Sequence, residues 1–270
     1  MGRARKRKPN VSPTATSRAS AAPSASLLSR ILPSRASVLG ILPILAIFIG
    51  TKVALAEAYR IPSGSMEPTL LVGDWLFVNK LRYGPHIPFT DAALPGYAEP
   101  KRGDVVVFVS PPQDPAIRIT PDDVTPTLVK RIVGVAGDTV MMRGGALSVN
   151  GVVVPPRNTT DILPDELANQ PQPLFEWQHA IEVKGSRFGA PVAHPSVHEW
   201  GPLVVPASSL FMMGDNRDNS VDSRYYGPVP RKNVRGTPTF VYYSYDTIAG
   251  VDFFRAVTEV RWGRIGTWIR

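Results

Sequence analysis

The chain has 270 residues, 43% hydrophobic and 19% charged, which suits one sizeable domain with appendages, or two small ones, and leaves room for a real core. It has no cysteine, so disulfides and thiolate metal sites are excluded. The formal net charge of +8 resides in the first 35 residues: Arg3, Arg5, Lys6, Arg7, Lys8, Arg18, Arg30 and Arg35 stand there without an acid, the other 22 basic residues balance 22 acids, and a neutral body argues against a nucleic-acid-binding domain.

In chain order, residues 1–35 read as a basic, disordered cytoplasmic tail, opened by GRARKRK and rich in Pro, Ser, Ala and Thr over 9–30. ASVLGILPILAIFIGTKVALAEAY follows. Residues 36–51 are uncharged, but as a helix they reach only about 24 Å against the roughly 30 Å of a bilayer core. Lys52 can snorkel, which extends the span to about 31 Å at residue 56. The expectation is one membrane anchor over 36–58, kinked at Pro43, with the N-terminus cytoplasmic and the rest outside. Two rival readings stay open. ALA at 54–56 has the form of an A-x-A cleavage site, and an Arg- and Ser-rich, acid-poor leader also suits an organellar transit peptide.

The chain's 28 prolines and 22 glycines, most of them between residues 59 and 270, favour short strands and turns there. DVVVFV (104–109), LVKRIVGV (128–135), LFMMG (210–214) and TFVYYSY (239–245) are apolar or β-branched runs between turn residues. ALSVNGVVV (146–154) carries Asn-Gly between apolar runs, a hairpin signal. Residues 155–205 are Pro-rich and irregular, which suggests a looser insertion. The predicted fold is mainly β: an antiparallel-sheet domain with an inserted β-rich lobe at about 145–205, preceded by one N-terminal transmembrane helix. At the C-terminus Trp262, Ile265, Trp268 and Ile269 recur at spacings of three and four with Arg261, Arg264 and Arg270 between, the pattern of an interfacial amphipathic segment.

RIPSGSMEPTL (60–70) sets two serines between two prolines just after the apolar stretch. It lacks the G-x-S-x-G elbow, and none of the four histidines is near it. A base for either serine has to come from elsewhere. In TLVKRIVGVAGD, Lys130 and Arg131 lie within an apolar strand and point to opposite faces, so one of the two faces the interior or a cleft. A desolvated lysine loses its preference for the charged form and its pKa falls from about 10.4. The neutral amine can then take the proton of a serine hydroxyl. GDNRDNSVDSR (214–224) lacks the register of a calcium loop, and His194, His198 and Glu199, with Pro195 among them, lack the H-E-x-x-H order of a zinc helix. No metal and no cofactor is expected.

IPSGSMEPTL, RGDVVVF (102–108), VKRIVGVAGD (129–138) and GDNRDNSVDSR (214–224) occur in this order behind one N-terminal span. Together they resemble the bacterial type I signal peptidase (leader peptidase) family, at motif level over most of residues 36–245. The resemblance implies an all-β Ser–Lys endopeptidase of the bacterial inner membrane, single-pass, with its catalytic domain on the outer face, cutting signal peptides from exported preproteins. It makes Ser65 the nucleophile and Lys130 the general base. The Ser65 backbone N–H and the Ser63 hydroxyl would form an oxyanion hole. Ser220 would hydrogen-bond and orient the Lys130 amine, Asp222 and Arg224 would brace that loop, and Asp215 would pair with Arg131. The cleaved segment would lie as an added strand beside 60–64 and 127–130. Pockets selecting small side chains would be walled by Tyr59, Ile61, Pro62, Met66, Leu70, Leu128 and Val129. The implied partners are preprotein signal peptides and the lipid bilayer, with no nucleic acid. Ser65 follows Glu57 by eight residues, at most about 28 Å of chain, which keeps it near a membrane surface. The chain departs from the family in having one span where members often have two, and in lacking a cysteine pair that some carry in the lobe. Other readings are a self-cleaving Ser–Lys repressor-type peptidase, an organellar inner-membrane processing peptidase of the same family, and a non-catalytic membrane-tethered peptide-binding β domain.

Overall fold

Two apolar runs, VVVFV and TLVKRIVGV, form the centre of the structure as β3 (Val105–Val109) and β4 (Thr127–Val135), paired antiparallel from Val105↔Arg131 to Val109↔Thr127. In β3 the residues from Val105 to Phe108 are all buried, so the strand is covered on both faces. Val106 and Phe108 pack with Ile132, Leu210, Met212, Val229 and Val234 on one side. Val105 packs with Ile61, Met66, Leu70, Leu76 and Val241 on the other. A strand buried on both faces reads as a continuous apolar run instead of an alternating one.

The computed structural model describes residues 40–41, 43–44, 56–87, 90, 92–157, 163–183, 188–246 and 258–270. The chain divides into Met1–Ala46 and Ile47–Arg270. In the first unit only Gly40, Ile41, Pro43 and Ile44 are described, and all are helical. The expected basic tail and most of the expected anchor lie outside the described residues. No helix among the described residues is long and apolar enough to cross a membrane. The anchor's expected end at residue 58 is corrected. Ala56–Arg60 is strand β1, in register from Ala56↔Asn79 to Arg60↔Trp75 with β2 (Asp74–Asn79). Its backbone groups bond sideways to a neighbouring strand, which removes 56–58 from any helix.

The remaining strands are β5 (Thr139–Arg143), β6 (Ala146–Val149), β7 (Val152–Val153), β8 (Trp200–Val204), β9 (Ser209–Met213), β10 (Val229–Pro230) and β11 (Val234–Ser244). They form a seven-stranded sheet, β1-β2-β11-β3-β4-β9-β10, and a four-stranded sheet, β7-β6-β5-β8. The described pairings are antiparallel. Asn150 and Gly151, between β6 and β7, have φ of 53° and 83°, the left-handed pair that a two-residue hairpin turn requires. Two short helices, α1 (Asp165–Ala168) and α2 (Ser223–Tyr226), complete the regular structure with several 3-10 turns.

Only the end of the expected insertion over 155–205 differs from the looser segment expected. WGPLV is strand β8, and Trp200 and Leu203 are fully buried. Trp200 stacks on Phe211 at 5.4 Å, in a core shared with Val133 of β4 and Met213 of β9. Gly201 and Pro202 hid the strand, because both are poor strand residues by propensity. The C-terminal segment also differs from expectation. Trp262–Arg264 is a single 3-10 turn and no amphipathic helix forms there. The segment runs along β11, with Gly266 N–H on Val241 O, Ile269 N–H on Thr239 O and a bridge between Phe240 and Trp268. Arg264 and Arg261 reach inward to buried Asp74, which also accepts from Ser244 Oγ at 2.7 Å. Trp262 and Trp268 remain exposed.

Candidate active site

Strand β1 delivers the chain to Ser63, which is extended at φ −138° and ψ 156°, and Gly64–Met66 then makes one 3-10 turn. Met66 is buried in the core and pins the turn, while Ser63, Gly64 and Ser65 stay at the wall of a cleft. A second loop, following β9, holds the first in place. Asn216 donates its backbone N–H to Ser65 O at 3.2 Å and its side-chain amide to Gly64 O at 3.3 Å. Thr69 Oγ1 donates to Asp215 Oδ2 at 2.5 Å. The two loops touch so closely that Gly214 has no room for a side chain: a Cβ there would stand 2.4 Å from both Ser220 Oγ and Ser65 O.

Strand β4 supplies the other side. Lys130 and Arg131 leave opposite faces, and the structure buries both, at 3% and 4% exposure, where the alternation alone required only one. Arg131 places Nε and Nη2 each 2.7 Å from the two oxygens of fully buried Asp215, and Nη1 donates to Gly103 O at 2.6 Å. Such a bidentate fork fixes orientation as well as charge. On the other face Lys130 Nζ donates to Ser65 Oγ at 2.5 Å. Burial pushes the Lys130 ammonium down from 10.5 to about 8; the Asp222 carboxylate opposes this and Arg224 adds to it.

Arg224 grips Asp222 with Nε at 2.8 Å and Nη2 at 2.9 Å, both residues being fully buried. Burial alone would push the Asp222 carboxyl up, but the charge and hydrogen bonds of Arg224 outweigh it and hold Asp222 below its ordinary range. Asp222 Oδ2 accepts the Gly214 N–H at 3.2 Å, and Arg224 Nη2 donates to Arg217 O at 2.5 Å. The loop from 214 to 224 is thus cross-braced.

The structure brings Ser63, Ser65, Lys130 and Ser220 to one cleft of about 320 Å³. Ser63 Oγ lies 3.5 Å from Ser65 Oγ. Ser220 differs from expectation: its Oγ is buried and has no hydrogen-bond partner, so the expected bond to Lys130 is not made. The Lys130 amine is directed at Ser65, and Ser220 Oγ is packed against the Gly214 backbone. A smaller pocket of about 110 Å³ adjoins, lined by Tyr59, Ile61, Pro62, Met66, Leu128 and Val129 together with Ser65 and Lys130. Leu70, expected in its wall, is corrected to the core: it is 0% exposed beside Ile61 and Leu76. It follows Met66 by one helical turn and faces inward with it.

Several wall residues escaped sequence reasoning. Gln113, Ile117, Ile119, Asp218, Asn219, Val221 and Tyr225 line the larger cleft. Ile119 also borders the smaller pocket and is 77% exposed. For Ile117 and Ile119 the hint was a pair of isoleucines in the otherwise mostly polar PPQDPAIRITPDD, and Asp218, Asn219 and Val221 lie within the quoted GDNRDNSVDSR. Of the histidines weighed as zinc ligands, His198 instead meets Asp218 at 2.8 Å.

Residues 34–243 match the family model described as signal peptidase, peptidase S26. The chain is 36% identical over 217 residues to a signal peptidase I of Pseudomonas aeruginosa, covering 75% of this chain and 70% of that protein. It is 31% identical over 261 residues to one of Haemophilus influenzae, covering 81% and 74%. It is 33% identical over 219 residues to one of Aquifex aeolicus, covering 70% and 77%. A crystal structure of a signal peptidase I from Enterococcus faecalis is 25% identical, with a TM-score of 0.29 over 52% of this chain and 96% of its own.

Proposed function

The chain belongs to the signal peptidase family, peptidase S26, and with that as premise we propose that its reaction is run by a dyad of Ser65 and Lys130. It is a serine peptidase that cleaves signal peptides, and its substrates are preproteins. The observation that carries the dyad is the 2.5 Å approach of a buried lysine amine to Ser65 Oγ.

In the proposed mechanism the neutral Lys130 amine takes the Ser65 proton as Oγ attacks the scissile carbonyl carbon. The carbonyl π-electrons move onto its oxygen. The Ser63 hydroxyl and the Ser65 backbone N–H donate to that oxyanion, and each such donor contributes about 3–4 kcal/mol to lowering the barrier. The tetrahedral intermediate collapses, the C–N bond breaks, and the Lys130 ammonium returns its proton to the leaving amine. Water then attacks the Ser65 ester with Lys130 again as base, releasing the signal peptide and restoring the serine. Arg131–Asp215 and Asp222–Arg224 act by holding the two loops and Lys130 in register.

Substrate would bind as a strand. Residues 127–130 pair with β3 on one edge, while pairing with β9 begins only at Arg131↔Met213, so the other edge at 127–130 is unpaired among the described strands. An extended peptide entering there meets main-chain donors and acceptors on one side and the small pocket on the other, which favours small side chains.

The proposed location is a membrane, with the N-terminus cytoplasmic and residues 56–270 on the outer face. What supports it is the basic leader and the apolar sequence of 36–55, about 30 Å as a helix, which matches a bilayer core even after strand β1 takes residues 56–58.

The experiment is cleavage of a preprotein by the detergent-solubilised chain, with the cut mapped by mass spectrometry. Ser65→Ala and Lys130→Ala should each abolish cleavage with thermal unfolding still cooperative. Full activity in either variant ends the dyad assignment.

A further inference from the structure

A second cleft, on the face of β4 opposite Lys130, is not used by the reaction. It has a volume of about 460 Å³ and opens between the 102–103 turn and the arm after β7. That is a small-ligand size, since such sites hold roughly 300–1,000 Å³. Val152, Val154, Pro155 and Pro156 form an apolar wall. Arg102, Arg131, Arg157 and Arg217 all line it, and among the described residues no carboxylate does.

The four arginines differ. Arg131 is held by Asp215, and Arg102 Nε stands 3.2 Å from Asp138. Arg157 and Arg217 have no ion-pair partner among the described residues. Arg217 is half-buried, its Nε donates to Gly214 O at 2.9 Å, and its two Nη atoms have no acceptor among the described residues. Two carboxylates act on it from nearby, but Asp215 is engaged by Arg131 and Asp222 by Arg224. Burial, and after it Arg224, push the Arg217 guanidinium down to about 10. A cross-braced loop therefore holds a half-buried cation, with no carboxylate of its own among the described residues, in the lining of a partly apolar cleft. Its free Nη donors are therefore available to an anion that enters the cleft. Val152, on the wall, is 70% exposed, an apolar surface without cover.

A guanidinium fork matches the oxygens of a carboxylate or phosphate, and valine and proline walls match a hydrocarbon. We infer that this cleft binds an anionic amphiphile, its carboxylate or phosphate head on Arg217 and Arg157 and its acyl chain along Val152, Val154 and Pro155. A free fatty acid and an anionic phospholipid share this chemistry. The site is separate from the dyad, and its occupancy can be read without any substrate being cut.

Phenylglyoxal modifies accessible guanidinium groups, and peptide mapping by mass spectrometry reports each arginine separately. The full chain in phosphatidylcholine nanodiscs is treated with the reagent in the presence of octanoate, octanol or inorganic phosphate at equal concentration. Octanoate should slow modification of Arg217 and Arg157 by about fivefold at an excess of about four times its dissociation constant, and leave Arg231, paired with Glu99, unchanged. Octanol and phosphate should protect much less. Val152→Asn, at an exposed position that tolerates a polar side chain, should weaken protection by octanoate and leave that by phosphate unchanged. Adding roughly 30 mol% phosphatidylglycerol to the nanodiscs, without octanoate, separates the sources: protection assigns the site to bilayer lipid, and its absence alongside octanoate protection assigns it to a free acid. The inference is overturned if octanoate gives no protection, or if octanol or phosphate protects equally well.

Discussion

Replacing Lys130 with methionine should abolish cleavage and yet make the protein harder to unfold at neutral pH. The folded chain holds the ammonium at about 8 against 10.5 for an ordinary lysine. At about 1.4 kcal/mol per tenfold change in proton affinity, keeping a protonated Lys130 in its dry site costs about 3–4 kcal/mol. The folded state binds fewer protons than the unfolded one between pH 8 and 10.5, so stability rises with pH across that window. Below it the penalty is present in full, and above it the lysine is neutral in both states and the penalty is gone. Methionine keeps most of the hydrocarbon stem and removes the charge. It also removes the bond to Ser65 Oγ, a net loss of about 1 kcal/mol. The variant should therefore be about 2–3 kcal/mol more stable at pH 7, a rise of about 4–12 °C in Tm for a domain of this size. Near pH 11 the two proteins should be level, or the variant about 1 kcal/mol weaker. Thermal unfolding of the detergent-solubilised full chain, followed by tryptophan fluorescence at both pH values, measures the difference. A variant that melts lower at pH 7, or a gap that is the same at both pH values, would refute the claim that burial sets the state of this amine.

Three further outcomes are expected. Since the base is the neutral amine, kcat/KM should rise about tenfold between pH 7 and pH 9 with a midpoint at about 8, and a flat profile would remove Lys130 from that role. Ser63→Ala should lower kcat by about 10²–10³-fold with KM nearly unchanged, as expected of a donor that acts on the oxyanion; an effect confined to KM would make Ser63 a substrate contact only. Gly214→Ala places a Cβ 2.4 Å from Ser65 O, so cleavage should be lost and stability should fall by about 1–3 kcal/mol, whereas an active, equally stable variant would show that the two loops are not in fixed contact.

Some of this was legible in the chain and some was not. VVVFV and TLVKRIVGV announced themselves as strands because β-branched runs suit a pleated, buried surface. Asn150–Gly151 announced its hairpin because both residues tolerate positive φ. Strand β1 was hidden, since AEAYR continues an apolar stretch and becomes a strand only by pairing with β2. Strand β8 was hidden by Gly201 and Pro202, and tertiary packing of Trp200 on Phe211 overrode their poor propensity. The tail's spacing of three and four suggested a helix face, but Gly263 and Gly266 weaken a helix, and the pull of Asp74 on Arg261 and Arg264, with pairing along β11, won. Within the site, the wall at Ile117 and Ile119 carried no periodic signal, and Leu70 looked the same whether it faced a pocket or the core.

Residue types in order along the chain were enough to set aside histidine and cysteine chemistry, to offer a serine and a lysine whose roles came from the resemblance to a family, and to predict a β architecture, because hydroxyl, amine and backbone preferences belong to the residues themselves. The state of the lysine amine, the distance over which it meets the serine and the walls around both came only with folding. Ser65 and Lys130 are 65 positions apart, and the water kept from Lys130 is excluded by segments far from it in the chain. Desolvation is a property of what packs around a group, and a linear chain does not carry that information locally.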